Sequence, residues 1–162
     1  MLLMFRLQKV RQSKLFFFYS CFSIKKSHIA AVSLPEGEKA SSIACFDVSV
    51  FVLSSNDGVF KSSIESIIVL NFSVVSELLG QEIVCLSGIS SHCLAVNKEG
   101  HVFGCGHNVC SQLCLRKRTG SILSFTKISS LRGYKIRAAY AGHWHSLFKT
   151  SESKILSCSS SK

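Results

Sequence analysis

The sequence predicts an all-β fold, a propeller of antiparallel four-stranded blades, on three observations. The chain repeats itself at about 50 residues, short apolar runs alternate with turn formers inside each copy, and no segment keeps a helical period beyond about three turns. Sliding the chain by 53 residues, the distance from His92 to His145, lays 72–108 over 125–161 without a gap. Nine of those 37 positions are identical: Phe72/Phe125, Ser76/Ser129, Leu78/Leu131, Gly80/Gly133, Ile83/Ile136, His92/His145, Leu94/Leu147, Glu99/Glu152 and Cys105/Cys158. Val75/Ile128, Val102/Ile155 and Phe103/Leu156 stay apolar where a repeated core needs them. Repeated hairpins of this length fit blades around a channel better than helical repeats.

Taken in order, residues 1–28 carry Arg6, Lys9, Arg11, Lys14, Lys25 and Lys26 and no acid. The apolar run 15–24 is half of the roughly 20 residues that span a bilayer, and no small-x-small cleavage site follows it. It reads as a strand of a first, incomplete blade; an interfacial anchor or targeting segment and disorder are the alternatives. Residues 29–71 are a degenerate copy. Segments 43–46 and 49–54 are strand-like, and Asn56-Asp57-Gly58 is a hairpin turn leading into Val59 and Phe60. Matching Gly58 to Gly100, a shift of 42, puts Val50 at the position of the repeated histidine. Irregular structure is expected from Lys61 into the apolar run 67–70.

Residues 72–124 are the best-formed copy. Strands are expected at 83–87, 92–96 and 101–104, between turns at 88–91 and 97–100, with Gly100 free to take the positive φ of a tight reversal. Segment 115–124, containing Arg116, Lys117 and Arg118, reads as a solvated loop between blades; three basic residues fall short of a nuclear-import run. Residues 125–162 are a truncated copy.

The frame Val75-x-x-Leu78-x-Gly80-x-x-Ile83, Gly88-x-x-x-His92, Glu99-Gly100-x-Val102-Phe103 and Gly106-x-Asn108-x-x-x-Gln112-Leu113 resembles one repeat of the regulator of chromosome condensation family. The resemblance covers roughly residues 40–162. The family's last element reads G-x-N-x-x-G-Q-L-G, and Ser111 and Cys114 stand at its second and third glycines. The family fold is a seven-bladed propeller, which takes roughly 350 residues at about 50 per repeat. A chain of 162 residues holds about three, so the expected structure is an incomplete β-propeller: a fragment or truncated copy, or an array completed by another chain. The resemblance implies two roles, nucleotide exchange on a small GTPase and association with chromatin or other proteins. No matched motif carries an exchange residue, so no exchange site is assigned.

Composition narrows the classes. Hydrophobic residues make up 47% of the chain and proline occurs once, enough apolar content for one domain with a real core. Net charge is +10, which favours an acidic partner, but the cations are dispersed rather than striped, which argues against direct nucleic-acid binding. Cys85, Cys93, Cys105 and Cys158 fall at strand positions that want a small apolar side chain. They read as reduced, buried thiols of a cytoplasmic or nuclear protein.

Candidate chemistry is sparse. Cys105-x-His107-x-x-Cys110-x-x-x-Cys114 gathers four zinc-ligand types, yet only Cys105 recurs in the second copy and paired knuckles are absent. His92 and His145, with His143 and Trp144 beside the latter, recur at one repeat position. That recurrence points to imidazoles bonding a neighbouring strand or turn, since catalysis needs a positioned nucleophile or carboxylate. No G-x-S-x-G elbow or phosphate-binding glycine loop is present. No catalytic, cofactor or metal residue is assigned, and no cofactor or membrane association is expected. The expected function is that of a non-enzymatic protein-interaction module, with an exchange factor for a small GTPase and a nonfunctional truncated copy as alternatives. Self-association through open blade edges is a further expectation.

Overall fold

The structure, a computed structural model, describes residues 4–5, 15–20, 27–32, 34–46, 49–63, 71–115 and 119–159. Strands β1 (Met4–Phe5), β2 (Leu15–Ser20) and β3 (Ser27–Val32) form a first sheet in that order. Strands β4 (Ala40–Phe46), β5 (Ser49–Ser54), β6 (Val59–Ser63) and β7 (Ser73–Val74) form blade 2. Blade 3 contains β8 (Ile83–Ile89), β9 (His92–Asn97), β10 (Val102–His107) and β11 (Ser121–Lys127). Blade 4 contains β12 (Ile136–Ala141), β13 (Ser146–Thr150) and β14 (Ile155–Cys158). Every pairing is antiparallel between chain neighbours. The expected strand at 15–24 is described as β2 over Leu15–Ser20. The irregular structure expected from Lys61 is corrected at its start, since β6 runs on through Ser63; the rest of that expectation, over 64–70, and the expectation for 116–118 lie outside the described residues. Segment 115–124 is not wholly loop: Ser121 to Ser124 belong to β11, whose backbone pairs with β10.

The repeat holds down to single hydrogen bonds. Each blade's first hairpin slips register once, between Ala40 and Ser42, between Ile83 and Cys85, and between Ile136 and Ala138. Such a bulge adds twist at one place in a strand pair. The second hairpins close alike, Ser54 N on Gly58 O, Asn97 N on His101 O and Thr150 N on Lys154 O. These bonds correct the alignment of blades 2 and 3: the shift is 43, not 42. Asp57, Gly100 and Ser153 occupy one left-handed position, with φ of 62°, 91° and 62°, and Ser49, not Val50, stands opposite His92. Asp57 tolerates that conformation through its short polar side chain, which leaves Gly58 outside the left-handed region and made it a misleading marker.

Burial on both strand faces explains the apolar runs. Along β9, Cys93 and Ala95 join the core shared with blade 2, where Phe51 meets Phe125 edge-on at 5.3 Å. Leu94 and Val96 point the other way, into the core shared with blade 4, with Ile128, Leu131, Ile136 and Phe148. All six residues of β9 are therefore buried, and a strand buried on both faces loses its polar alternation. The first strands stack on one another, β8 packing against β4 on one side and β12 on the other. Gly88 serves that contact, since a Cβ there would lie 3.3 Å from the Ala44 Cβ and the Cys45 carbonyl oxygen.

Candidate functional site

The residues singled out by the sequence converge at one end of blades 3 and 4, where the loop after β10 folds back between them. Asn108 Oδ1 accepts from Leu113 N at 3.0 Å, and Gln112 Oε1 accepts from Cys110 N at 2.9 Å. These two side chains turn the chain so that Leu113 drops, fully buried, over Gly104. A Cβ at Gly104 would sit 2.8 Å from the Leu113 Cδ2, so the missing side chain makes the space. Ser111 and Cys114, at the family's glycine positions, take φ of 56° and 51°. Gln112 Nε2 is buried with no partner among the described residues.

Buried polar groups join the two blades. His92 Nε2 lies 2.8 Å from Ser146 Oγ, and that hydroxyl donates to the Gln112 carbonyl oxygen at 2.6 Å. Because Ser146 has one proton and gives it to Gln112, His92 must donate through Nε2–H. Ser91 Oγ donates to the His143 carbonyl oxygen at 2.9 Å, and Ser87 Oγ accepts from Ala141 N at 2.9 Å. Burial, assisted by the charges of His145 and His107, lowers the His92 pKa from 6.5 to about 4, so the ring is neutral near pH 7. The structural role expected of the repeated histidine is realised at His92. Its repeat mate His145 is exposed and rests its ring on Gly142, where a Cβ would meet the imidazole at 2.5 Å. His143 and Trp144 beside it meet edge-on at 4.4 Å.

The cysteines divide. Cys114 and Cys158 are joined as a disulfide with Cα atoms 5.6 Å apart, which corrects the reading of Cys158 as a reduced thiol. The two cysteines lie far apart in sequence, and only the packing of the blade 3 loop on blade 4 brings them together. Cys93 and Cys105 pair across β9 and β10 as free, buried thiols. Burial raises Cys105, like Cys45, to about 12 and drives Cys93 higher as well, so these thiols stay protonated. The Cys105, His107, Cys110 and Cys114 set does not converge, and among the described residues no three His, Cys, Asp or Glu side chains gather as a metal site. No helix among the described residues is long and apolar enough to cross a membrane.

No family model matches the chain, but solved structures do. The crystal structure of human WBSCR16 matches with a TM-score of 0.74 at 14% identity, covering 91% of this chain and 42% of that one. Yeast Prp20, solved with Kap60 bound, matches at 0.69 and 18%, covering 90% and 39%. A second Saccharomyces cerevisiae Prp20 structure matches at 0.62 and 12%, covering 90% and 43%. The chain is an incomplete β-propeller with the blade fold of the regulator of chromosome condensation proteins. It spans about two fifths of the length of these structures.

Proposed function

We propose that the chain is a protein-interaction module, with repeats 29–71, 72–124 and 125–162 as its frame and residues 1–28 apart from it. It receives a protein partner at the exposed Trp144 and His145 of blade 4. One correspondence carries this reading. Blade 3 holds blade 4 through Ser91 and His92. Fifty-three residues on, the same two places are Trp144 and His145, both exposed. Exposed aromatic side chains suit a protein interface, where they supply the central contact area. Prp20 is a protein of this fold with Kap60 bound and with studied binding to Gsp1p and histones. That supports partners that are themselves proteins.

The test is capture and rebinding. A protein retained by the immobilised chain is purified and titrated against wild type, Trp144→Asp and His145→Asp; loss with both variants is expected. Rebinding that neither variant weakens would overturn the reading. The alternative drawn from the family resemblance, nucleotide exchange, predicts faster release of a fluorescent guanine nucleotide from a small GTPase with catalytic amounts of the chain.

A further inference from the structure

At the opposite end of blades 3 and 4 lies a groove of about 670 Å³ between the β9–β10 turn and the segment that follows β11, within the ~300–1,000 Å³ of ordinary ligand clefts. Buried Val102, Ile128 and Leu131 form its floor and half-exposed Tyr134 stands at its rim. Lys127, Arg132 and Lys135 line it, are exposed, and have no ion pair among the described residues. The acid of the groove, Glu99, is already 3.0 Å from His101 Nδ1.

The internal repeat shows that the frame does not require these cations. The corresponding positions between blades 2 and 3 are Val74, Leu79 and Glu82. Most of the backbone matches in both places, but Glu82 is left-handed, with φ of 48°, where Lys135 is not. The two 3-10 turns, Ser76–Leu78 and Ser129–Leu131, are followed by Leu79 (φ −63°, ψ 130°) and Arg132 (φ −58°, ψ 130°). Gly80 and Gly133 are both left-handed, and Lys98 N on Glu82 O repeats as Ser151 N on Lys135 O. One scaffold thus carries an apolar and acidic set in one copy and three cations in the other. At Lys127 and Arg132, where the backbone matches Val74 and Leu79, a structural explanation of the cations fails on that comparison.

We infer that this groove binds an extended acidic peptide segment of a protein partner, its carboxylates on Lys127, Arg132 and Lys135 and an apolar side chain against Tyr134 and the floor. Arginine forks and lysine point charges both suit carboxylates. A nucleic-acid strand fits less well, because Glu99 and Glu152 on the neighbouring turns are acids that interrupt a continuous phosphate track.

The probe is a fluorescein-labelled peptide alternating glutamate with leucine, titrated by anisotropy against the full chain. The key variant is Lys127→Val with Arg132→Leu and Lys135→Glu, which installs at three exposed positions the side chains of the corresponding places in the other copy. A control, Lys39→Glu with Lys149→Val and Lys154→Val, removes equal charge elsewhere on the exposed surface. The groove variant is expected to bind about tenfold weaker or worse, and the control to bind within about twofold of wild type. Equal loss in both variants means bulk attraction to a basic protein and overturns the site, as does unchanged binding in the groove variant. A single-stranded oligonucleotide bound as tightly and lost in the groove variant alone would make the groove a nucleic-acid site and overturn the peptide reading. Trp144→Asp leaves peptide binding intact, which separates this site from the one proposed at Trp144 and His145.

Discussion

Acidification should weaken this fold through one ring. His92 is fully buried and its pKa falls from 6.5 to about 4, so between those values the unfolded chain binds a proton that the folded chain refuses. Stability is therefore complete above pH 6.5 and lost as pH falls towards 4. Integrating the difference from about pH 7.5 to about pH 5, where most carboxylates have not yet titrated, gives a loss of about 2 kcal/mol. Urea unfolding followed by far-ultraviolet circular dichroism at several pH values measures the slope. Since urea m-values run about 1–3 kcal/mol per molar, the midpoint should drop by about 1 M. His92→Gln keeps an amide donor towards Ser146 without a titrating group, so its midpoint should be nearly flat over the same range. A wild-type midpoint that does not move, or an equal slope in His92→Gln, would refute the assignment.

Four further outcomes are expected. Ser153→Gly relieves a left-handed serine, whose strain of about 1–2 kcal/mol outweighs glycine's entropy cost of about 0.5–1 kcal/mol, so unfolding should show a gain of about 0.5–1 kcal/mol. Gly100→Ala at the equivalent position of blade 3 should lose about 2 kcal/mol or more, because its Cβ would lie 2.7 Å from the Lys135 Cγ and 2.9 Å from the Ile136 N. Phe148→Ala empties the centre of the core between blades 3 and 4 and should cost about 3–5 kcal/mol, read from the same urea curves. The Cys114–Cys158 bond closes a separation of 44 residues. Reductant should therefore lower stability by about 2–4 kcal/mol in wild type and leave Cys158→Ala unaffected.

Much of the fold was written in local terms. Hairpin turns, strands buried on both faces and a fixed period depend on residues close in sequence, so the repeat, the blade class and the left-handed Gly100 could be read directly. The recurring histidine could also be read as structural, because a catalytic residue has no reason to recur with the frame. The shift of 43 could not be read, since it depends on which residue takes the left-handed position, and Asp57 took it beside a glycine that did not. The strand at Ser121–Lys127 was hidden for a similar reason: its residues are mostly exposed, and backbone pairing with β10 rather than an apolar pattern decides it.

What the sequence by itself determined was the unit: which residues form a blade, where it turns, and that it is repeated. Only the tertiary structure decided the contacts between units. Ser146 on His92 and Cys114 on Cys158 join residues that no period or motif links, because packing brings them together from separate copies, and the same packing sets Lys127, Arg132 and Lys135 across a groove from the β9–β10 turn. The same contrast sets His92 apart from His145. Identical residues at one repeat position become a buried, neutral donor and an exposed ring, since blade 4 covers the first and no sheet among the described residues covers the second.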